Sequence, residues 1–205
     1  MKQISFQGQQ LGLLSALLLL QALFVSAQTK PDLHNELLQM VERDQAARVA
    51  CSNGTADLQL ACYAKVGEEI DKPNTKRLNQ IFNEHGFPSS KLVGADGVGA
   101  FLLMLQHSGD PSLKQKCRKG IEQAYREKAL SVMDFTNFID RLLADQGKLQ
   151  IYGSYFAIKD GKFVMYPTKD VANLDKRRKK IGLPPIAEHM KMMKEFYKLD
   201  VVMHE

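Results

Sequence analysis

The sequence contains no tryptophan, only three cysteines and no two histidines at metal-ligand spacing. Without tryptophan or an alternation of aromatic and basic residues, specific nucleic-acid recognition has no support. Without paired His or Cys ligands there is no metal signature, and the cofactor is unknown. No nucleophile elbow or phosphate loop is present, and Gly94-Ala95-Asp96-Gly97-Val98-Gly99 follows no recognisable strand, so it is not a dinucleotide fingerprint. Long apolar runs are also missing, with one exception at the N-terminus.

That exception reads as a targeting segment. From Ile4 to Thr29 there is no ionisable side chain, Lys2 supplies a positive start, and Leu11–Val25 is apolar apart from Gly12, Ser15 and Gln21. About 15 apolar residues fall short of the roughly 20 that span a bilayer, and Val25-Ser26-Ala27 has the small-x-small form of a cleavage site. Residues 1–27 are therefore expected to be a cleaved signal peptide, with an uncleaved anchor as the alternative, and the protein is expected to be exported, periplasmic or extracellular. Residues 28–205 then form one mostly helical domain.

Charge is unevenly placed. Gln28–Ile158 holds 16 basic and 16 acidic residues, whereas Lys159–Lys198 holds 11 basic and 5 acidic. The run Lys176, Arg177, Arg178, Lys179, Lys180 makes a weak case for a polyanion surface through Lys176, Arg177, Lys179 and Lys180, and a plain solvated face is the favoured reading.

Export makes disulfides permissible. Cys51 and Cys62 are the local pair, but a tight turn at Ser52–Thr55 between antiparallel helices would set Cys62 opposite Gln45. That offset of about six residues, roughly 9 Å, is too long for a bridge, so pairing requires a looser connection. Cys117 falls on the stripe Leu113, Cys117, Ile121, Ala124 and reads as a buried thiol. Asn53-Gly54-Thr55 is a glycosylation sequon.

Apolar periodicity, caps and breakers predict a mainly α fold of about seven helices. The eight stretches that read as helical lie near Leu33–Ala50, Ala56–Ile70, Asn74–His85, Asp96–His107, Pro111–Lys128, Met133–Gln146, Val171–Ile181 and Ile186–Lys198, with a break at Pro73. One small β-hairpin is expected near residues 150–166 around Asp160-Gly161.

Some charges fall on the wrong face. Projected at 100° per residue from Leu37, Asp44 lies near ~340° and Arg48 near ~20°, within the stripe of Leu33, Met40 and Val41. From Val171, Arg178 and Asp175 likewise fall in or beside the apolar stripe, and the other cations of the run point outward. Buried charge is costly unless paired, so these residues mark either structural ion pairs or a ligand site. Gln106-His107 ends a helix that is otherwise apolar all round, which holds a histidine near neutrality where it can serve as acid or base. Asp140 and Arg141 project away from the stripe Phe135, Phe138, Ile139, Leu142, Leu143 and are expected to be exposed.

In order along the chain stand Asp44-Gln45 with Arg48, Asp71 with Asn74, His85-Gly86-Phe87-Pro88, Leu92-Val93-Gly94, Gln106-His107, Asp140-Arg141, Gln150-Ile151-Tyr152-Gly153, and Asp175-Lys176-Arg177-Arg178 with Gly182-Leu183. This series resembles a largely bacterial family, domain of unknown function 6624, over about Leu33 to Met190. The resemblance implies no established activity. It does imply that Asp44, Gln45, Arg48, Gln106, His107, Asp140, Arg141, Gln150, Tyr152 and Arg178 belong to one polar site. Phe87 stands where the family usually has Trp, and Gly153-Ser154-Tyr155 replaces the usual Gly-Thr-Gln.

Two functions compete with a purely structural reading. One is binding of a small polar or anionic ligand by Arg48 and Arg178, with Gln45, Gln106, Asp140, Arg141, Gln150 and Tyr152 around them. The other is hydrolysis by water, with His107 as general base oriented by Asp44. Both require Asp44, Arg48, His107 and Arg178 to meet around a pocket.

Overall fold

The computed structural model describes residues 30–204 apart from 54, 160 and 198; the expected signal peptide lies outside the described residues. Pro31 opens α1 (Pro31–Ala50), whose Leu33, Leu37, Met40 and Asp44 form one buried row at helical spacing. Thr55 starts α2 (Ala56–Val66), which runs directly through a π-helical turn, Gly67–Asp71, into α3 (Lys72–His85). The break expected at Pro73 does not occur. Proline lacks an N–H and its ring crowds the carbonyl four residues back, and the wider π turn just before it absorbs the mismatch.

α4 (Ser90–His107) is the central helix. It begins earlier than expected because a first turn, Ser90–Val93, is joined to it through a kink at Gly94, whose φ of 76° suits glycine alone. Val98, Phe101, Leu102, Met104 and Leu105 are all buried. α1 lies along α4, and α3, α5 (Pro111–Arg126) and α6 (Val132–Asp145) also pack on it. Asp110 and Ser131 cap α5 and α6 by accepting from Leu113 N and Asp134 N at 2.9 and 3.1 Å, each cap stabilising its helix by about 1 kcal/mol. Cys117 is a free buried thiol on the core face of α5, and burial pushes its pKa up to about 12.

After α6 the chain folds into a smaller unit. β1 (Phe156–Lys159) pairs antiparallel with β2 (Lys162–Met165), and a short β3 (Val201–Val202), not anticipated from sequence, adds in parallel to β2. Residues 150–155, expected to extend the hairpin, form a loop. A single 3-10 turn, Val171–Asn173, precedes α7 (Leu174–Lys180), and α8 (Ile186–Tyr197) follows. Phe156, Met165 and Leu174 form a second small core with Ile186, Met190 and Met193 around it. The chain is thus mainly α with a small three-stranded sheet.

Cys51 and Cys62 are bonded, with Cα atoms 5.4 Å apart. The connection is thus loose enough to bring the second turn of α2, which carries Cys62, against the end of α1. Asn53 is exposed in that connection. Among the described residues no helix is long and apolar enough to cross a membrane.

Candidate functional site

The buried row of α1 ends in Asp44, whose side chain is fully shielded from solvent. Three side chains donate to its carboxylate. Arg48, one turn on, does so through Nε at 3.1 and 3.2 Å, and Gln45 Nε2 at 2.8 Å. His107, at the last position of α4, places Nδ1 3.1 Å from Oδ1 and 3.0 Å from Oδ2. Arg48 Nη2 also reaches Asp71 Oδ1 at 2.5 Å, and Asp71 is the last residue of the π turn. An ordinary 100° projection has no reading for a residue in such a turn, which is why Asp71 was not singled out from sequence.

The charges of this cluster set one another. Burial works against the charge on Arg48, but Asp44 and Asp71 together overcome it and hold the guanidinium above its ordinary pKa. Burial lowers the pKa of His107, Asp44 opposes that and Arg48 reinforces it, leaving the imidazole below its ordinary value and neutral at pH 7. A neutral ring whose Nδ1 meets the Asp44 carboxylate carries its proton on that nitrogen, because a carboxylate can only accept. Nε2 is then an acceptor, and among the described residues it has no hydrogen-bond partner.

His107 stands between two clefts. One, of about 510 Å³, is lined by Glu68, Asp71, Lys72, Thr75 and Asp110 among others, and so carries several carboxylates. The other, of about 390 Å³, is lined by Gln106, Asn137, Arg141, Ser154, Tyr155 and His189, and among the described residues no carboxylate lies on its wall. Arg141 lies over the Tyr155 ring with Cζ 4.7 Å from its centroid, and its Nε is held by Asp145 at 2.9 Å. Tyr155 is the position where the family's usual amide is replaced, so that departure falls on the cleft wall.

Asp44, Asp71 and His107 each bring one donor atom to within 4.8 Å of the others, an arrangement that resembles a cation site. Arg48 already bonds both carboxylates and supplies the positive charge, so these residues do not fit a resident metal without displacement of its guanidinium.

The remaining residues of the expected site lie elsewhere. Asp140, expected to be exposed, is fully buried. The stripe on α6 marks only the face toward the helical core, whereas loop 150–155 covers the opposite face. Asp140 accepts from the amides of Ile151, Tyr152 and Ser154 at 2.8–3.1 Å. Burial raises its pKa and those three amides resist the rise without cancelling it. Gln150 Nε2 donates to the carbonyls of Tyr155 and Tyr166, and its Oε1 accepts from Tyr155 N. Gly153 completes the loop with φ of 66°, which strains any L side chain, and an added Cβ would press on Ile186, Leu174 and Met165 at 3.2 Å.

Arg178 is fully buried as well, but it makes no hydrogen bond or ion pair with Asp44, Arg48 or His107. Its Nε donates to Pro184 O at 2.7 Å and its Nη1 to Tyr152 O at 2.6 Å. The four-residue meeting expected from sequence is therefore not formed: three of the four meet, and Arg178 closes a loop. Two further corrections fall on α7. Asp175 is exposed and accepts from Ile186 N at 2.7 Å, at the start of α8. Arg177, expected to point outward, is half-buried and donates to the carbonyls of Ile151, Lys169 and Asp170. Of the proposed polyanion face only Lys176, Lys179 and Lys180 remain exposed.

The comparisons with known proteins agree with the motif series. A model for a family of unknown function (DUF6624) matches residues 31–202. No curated protein and no solved structure matches the chain. The chain belongs to the DUF6624 family.

Proposed function

We propose that this chain is an exported protein that binds a small anionic ligand in the cleft where His107 meets Gln106, Asn137 and Arg141. The observation that carries this reading is the setting of His107. A fully buried carboxylate holds one ring nitrogen, and the other stands unpartnered between two clefts. The absence of carboxylates among the described residues on the wall of the smaller cleft, together with Arg141, favours an anion there. Its volume of about 390 Å³ suits a small molecule. Of the four residues expected to meet, this reading rests on Asp44, Arg48 and His107 alone; Arg178, held by Pro184 O and Tyr152 O, makes no direct contact with the ligand in it. Export is supported by the apolar leader with its small-residue end and by a disulfide, which persists in oxidising compartments.

The dyad also favours a second reading. An imidazole oriented by Asp44 through Nδ1 is prepared to take a proton at Nε2, so water entering the cleft can be activated for hydrolysis of the bound molecule. A thermal-shift panel of carboxylates, phosphate esters, nucleotides, acidic sugars and cell-wall fragments tests both. Binding is supported when one class stabilises the wild type and not Arg141→Ala. Hydrolysis is supported when that compound is consumed and His107→Gln abolishes the turnover. If nothing stabilises the wild type and Arg48→Ala unfolds, the cluster is an ion-pair network holding α1, α3 and α4 together.

A further inference from the structure

His189 was not singled out from sequence, and it stands on the same cleft wall as His107. It lies on the buried side of α8, one turn past Ile186, with its ring centroid 5.9 Å from that of Phe156. Only 6% of its surface is exposed. Its Nδ1 is wholly shut from solvent and has no hydrogen-bond partner, and the same holds for Nη2 of Arg178. These are the two such atoms found among the described residues. Leaving a buried polar atom unpaired costs about 1–3 kcal/mol, so each such atom requires an explanation.

The two atoms are complementary. A guanidinium nitrogen can only donate, and an imidazole nitrogen accepts when the proton is on the other side of the ring. The other two donor nitrogens of Arg178 are fixed by Pro184 O and Tyr152 O, which leaves Nη2 for a different acceptor. The other ring nitrogen of His189, Nε2, makes no hydrogen bond among the described residues and is not among the shut-in unpartnered atoms, and the residue lines the smaller cleft.

We infer that His189 is a neutral hydrogen-bond donor to the ligand: Arg178 is anchored on Pro184 O and the His189 amide on the adjacent Pro185 O, and Nη2 reaches Nδ1 through one enclosed water, which fixes the proton on Nε2 and presents it to an anionic oxygen in the cleft. The cleft then carries two imidazoles of opposite tautomer. His107 accepts through Nε2 because Asp44 takes the proton side, and His189 donates through Nε2 because Arg178 takes the lone-pair side. Burial, reinforced by Arg178, lowers the His189 pKa to about 4, which keeps the ring neutral as this role requires. A donor in a half-enclosed cleft discriminates for oxyanions with more effect than an exposed cation, whose field water screens. This inference rests on the cleft reading of the preceding subsection, with Arg178 now a positioning residue that acts through His189.

Imidazole nitrogen–proton correlation spectra of the ¹⁵N-labelled protein test it. At about pH 5.5, where an ordinary histidine is largely protonated, His189 is expected to be neutral and in the Nε2–H form. The Nδ1–H form, or a protonated ring, overturns the inference. Arg178→Met is expected to release the tautomer preference, and a preference unchanged in a folded Arg178→Met protein overturns the role of Arg178. If that variant does not fold, the wild-type tautomer alone decides the matter. Titration of the wild type with inorganic phosphate and, separately, acetate is expected to shift the His189 ring resonances with at least one of them, the two arms separating phosphate from carboxylate preference. The shift should survive in His189→Gln as perturbation of its side-chain amide, which can still donate, and vanish from this position in His189→Phe. A response at His107 without one at His189 overturns this inference and leaves the cleft reading standing. No response at either ring overturns the cleft reading, and this inference with it.

Discussion

Two groups of polar side chains, one built around buried Asp44 and the other around buried Asp140, Gln150 and Arg178, divide the molecule, and they are satisfied in different ways. In the first, Asp44, Gln45, Arg48, Asp71 and His107 bond to one another through side chains contributed by α1, the π turn and α4. In the second, Asp140, Gln150, Arg177 and Arg178 bond almost wholly to backbone amides and carbonyls of the loops around β1, β2, α7 and α8. Side-chain-to-backbone bonds set the course of the chain, and removing one lets a loop go. Side-chain-to-side-chain bonds set the charge and tautomer of particular groups, and here they do so on the wall of two clefts. The first group thus orients the His107 ring, and the second holds the loop whose Ser154 and Tyr155 line the smaller cleft.

The largest effect should come from breaking the second group at its centre. Asp140→Asn replaces an anionic acceptor with an amide whose NH₂ faces N–H groups, so unfolding free energy is expected to drop by at least about 3 kcal/mol, read by denaturant titration. Opening the disulfide acts next, on the segment that carries Arg48 and Asp71. An 11-residue separation predicts a loss of about 2–3 kcal/mol on reduction or in Cys51→Ser, with a lower Tm. The Asp71–Arg48 pair should loosen with it, because α2 is then free to swing from the end of α1.

Acidification gives a smaller and graded effect. The unfolded chain takes a proton on His189 near pH 6.5, whereas the folded chain refuses it until about pH 4. Between those values the unfolded state binds more protons, so stability should fall as pH falls through that window. The slope should flatten in His189→Gln. His107, lowered for the same principal reason, adds to the slope just below 6.5. Asp140 acts in the opposite sense because its pKa is raised.

The sequence and the structure agree most closely where burial leaves an apolar signature. α1 displays Leu33, Leu37 and Met40 around Asp44, so that a charge in the row was visible as an anomaly, and Arg178 stood out in the same way. Asp140 could not be found so, because the face it occupies is buried by the backbone of residues 150–155, which contributes no apolar side-chain period. Asp71 and the uninterrupted Pro73 were hidden by a π turn, where the helical period itself changes. Arg177 was misplaced because its partners are loop carbonyls, which every sequence possesses and none advertises. His189 did have a signal, lying at helical spacing between Ile186 and Met193 on an amphipathic helix, but a lone histidine among methionines reads as core until its cleft is seen. The two-residue β3 is too short for any periodicity to mark.

The smallest expected change is also the most direct test of the division. His107→Gln is compared with the wild type and with Asp140→Asn by equilibrium unfolding at pH 7. The expected result is a cost within about 1 kcal/mol, because a residue kept for its chemistry is not one on which the fold depends, together with complete loss of response to any ligand that stabilises the wild type. A cost of several kcal/mol, comparable to that of Asp140→Asn, would contradict it and make the Asp44–His107 pair part of the scaffold.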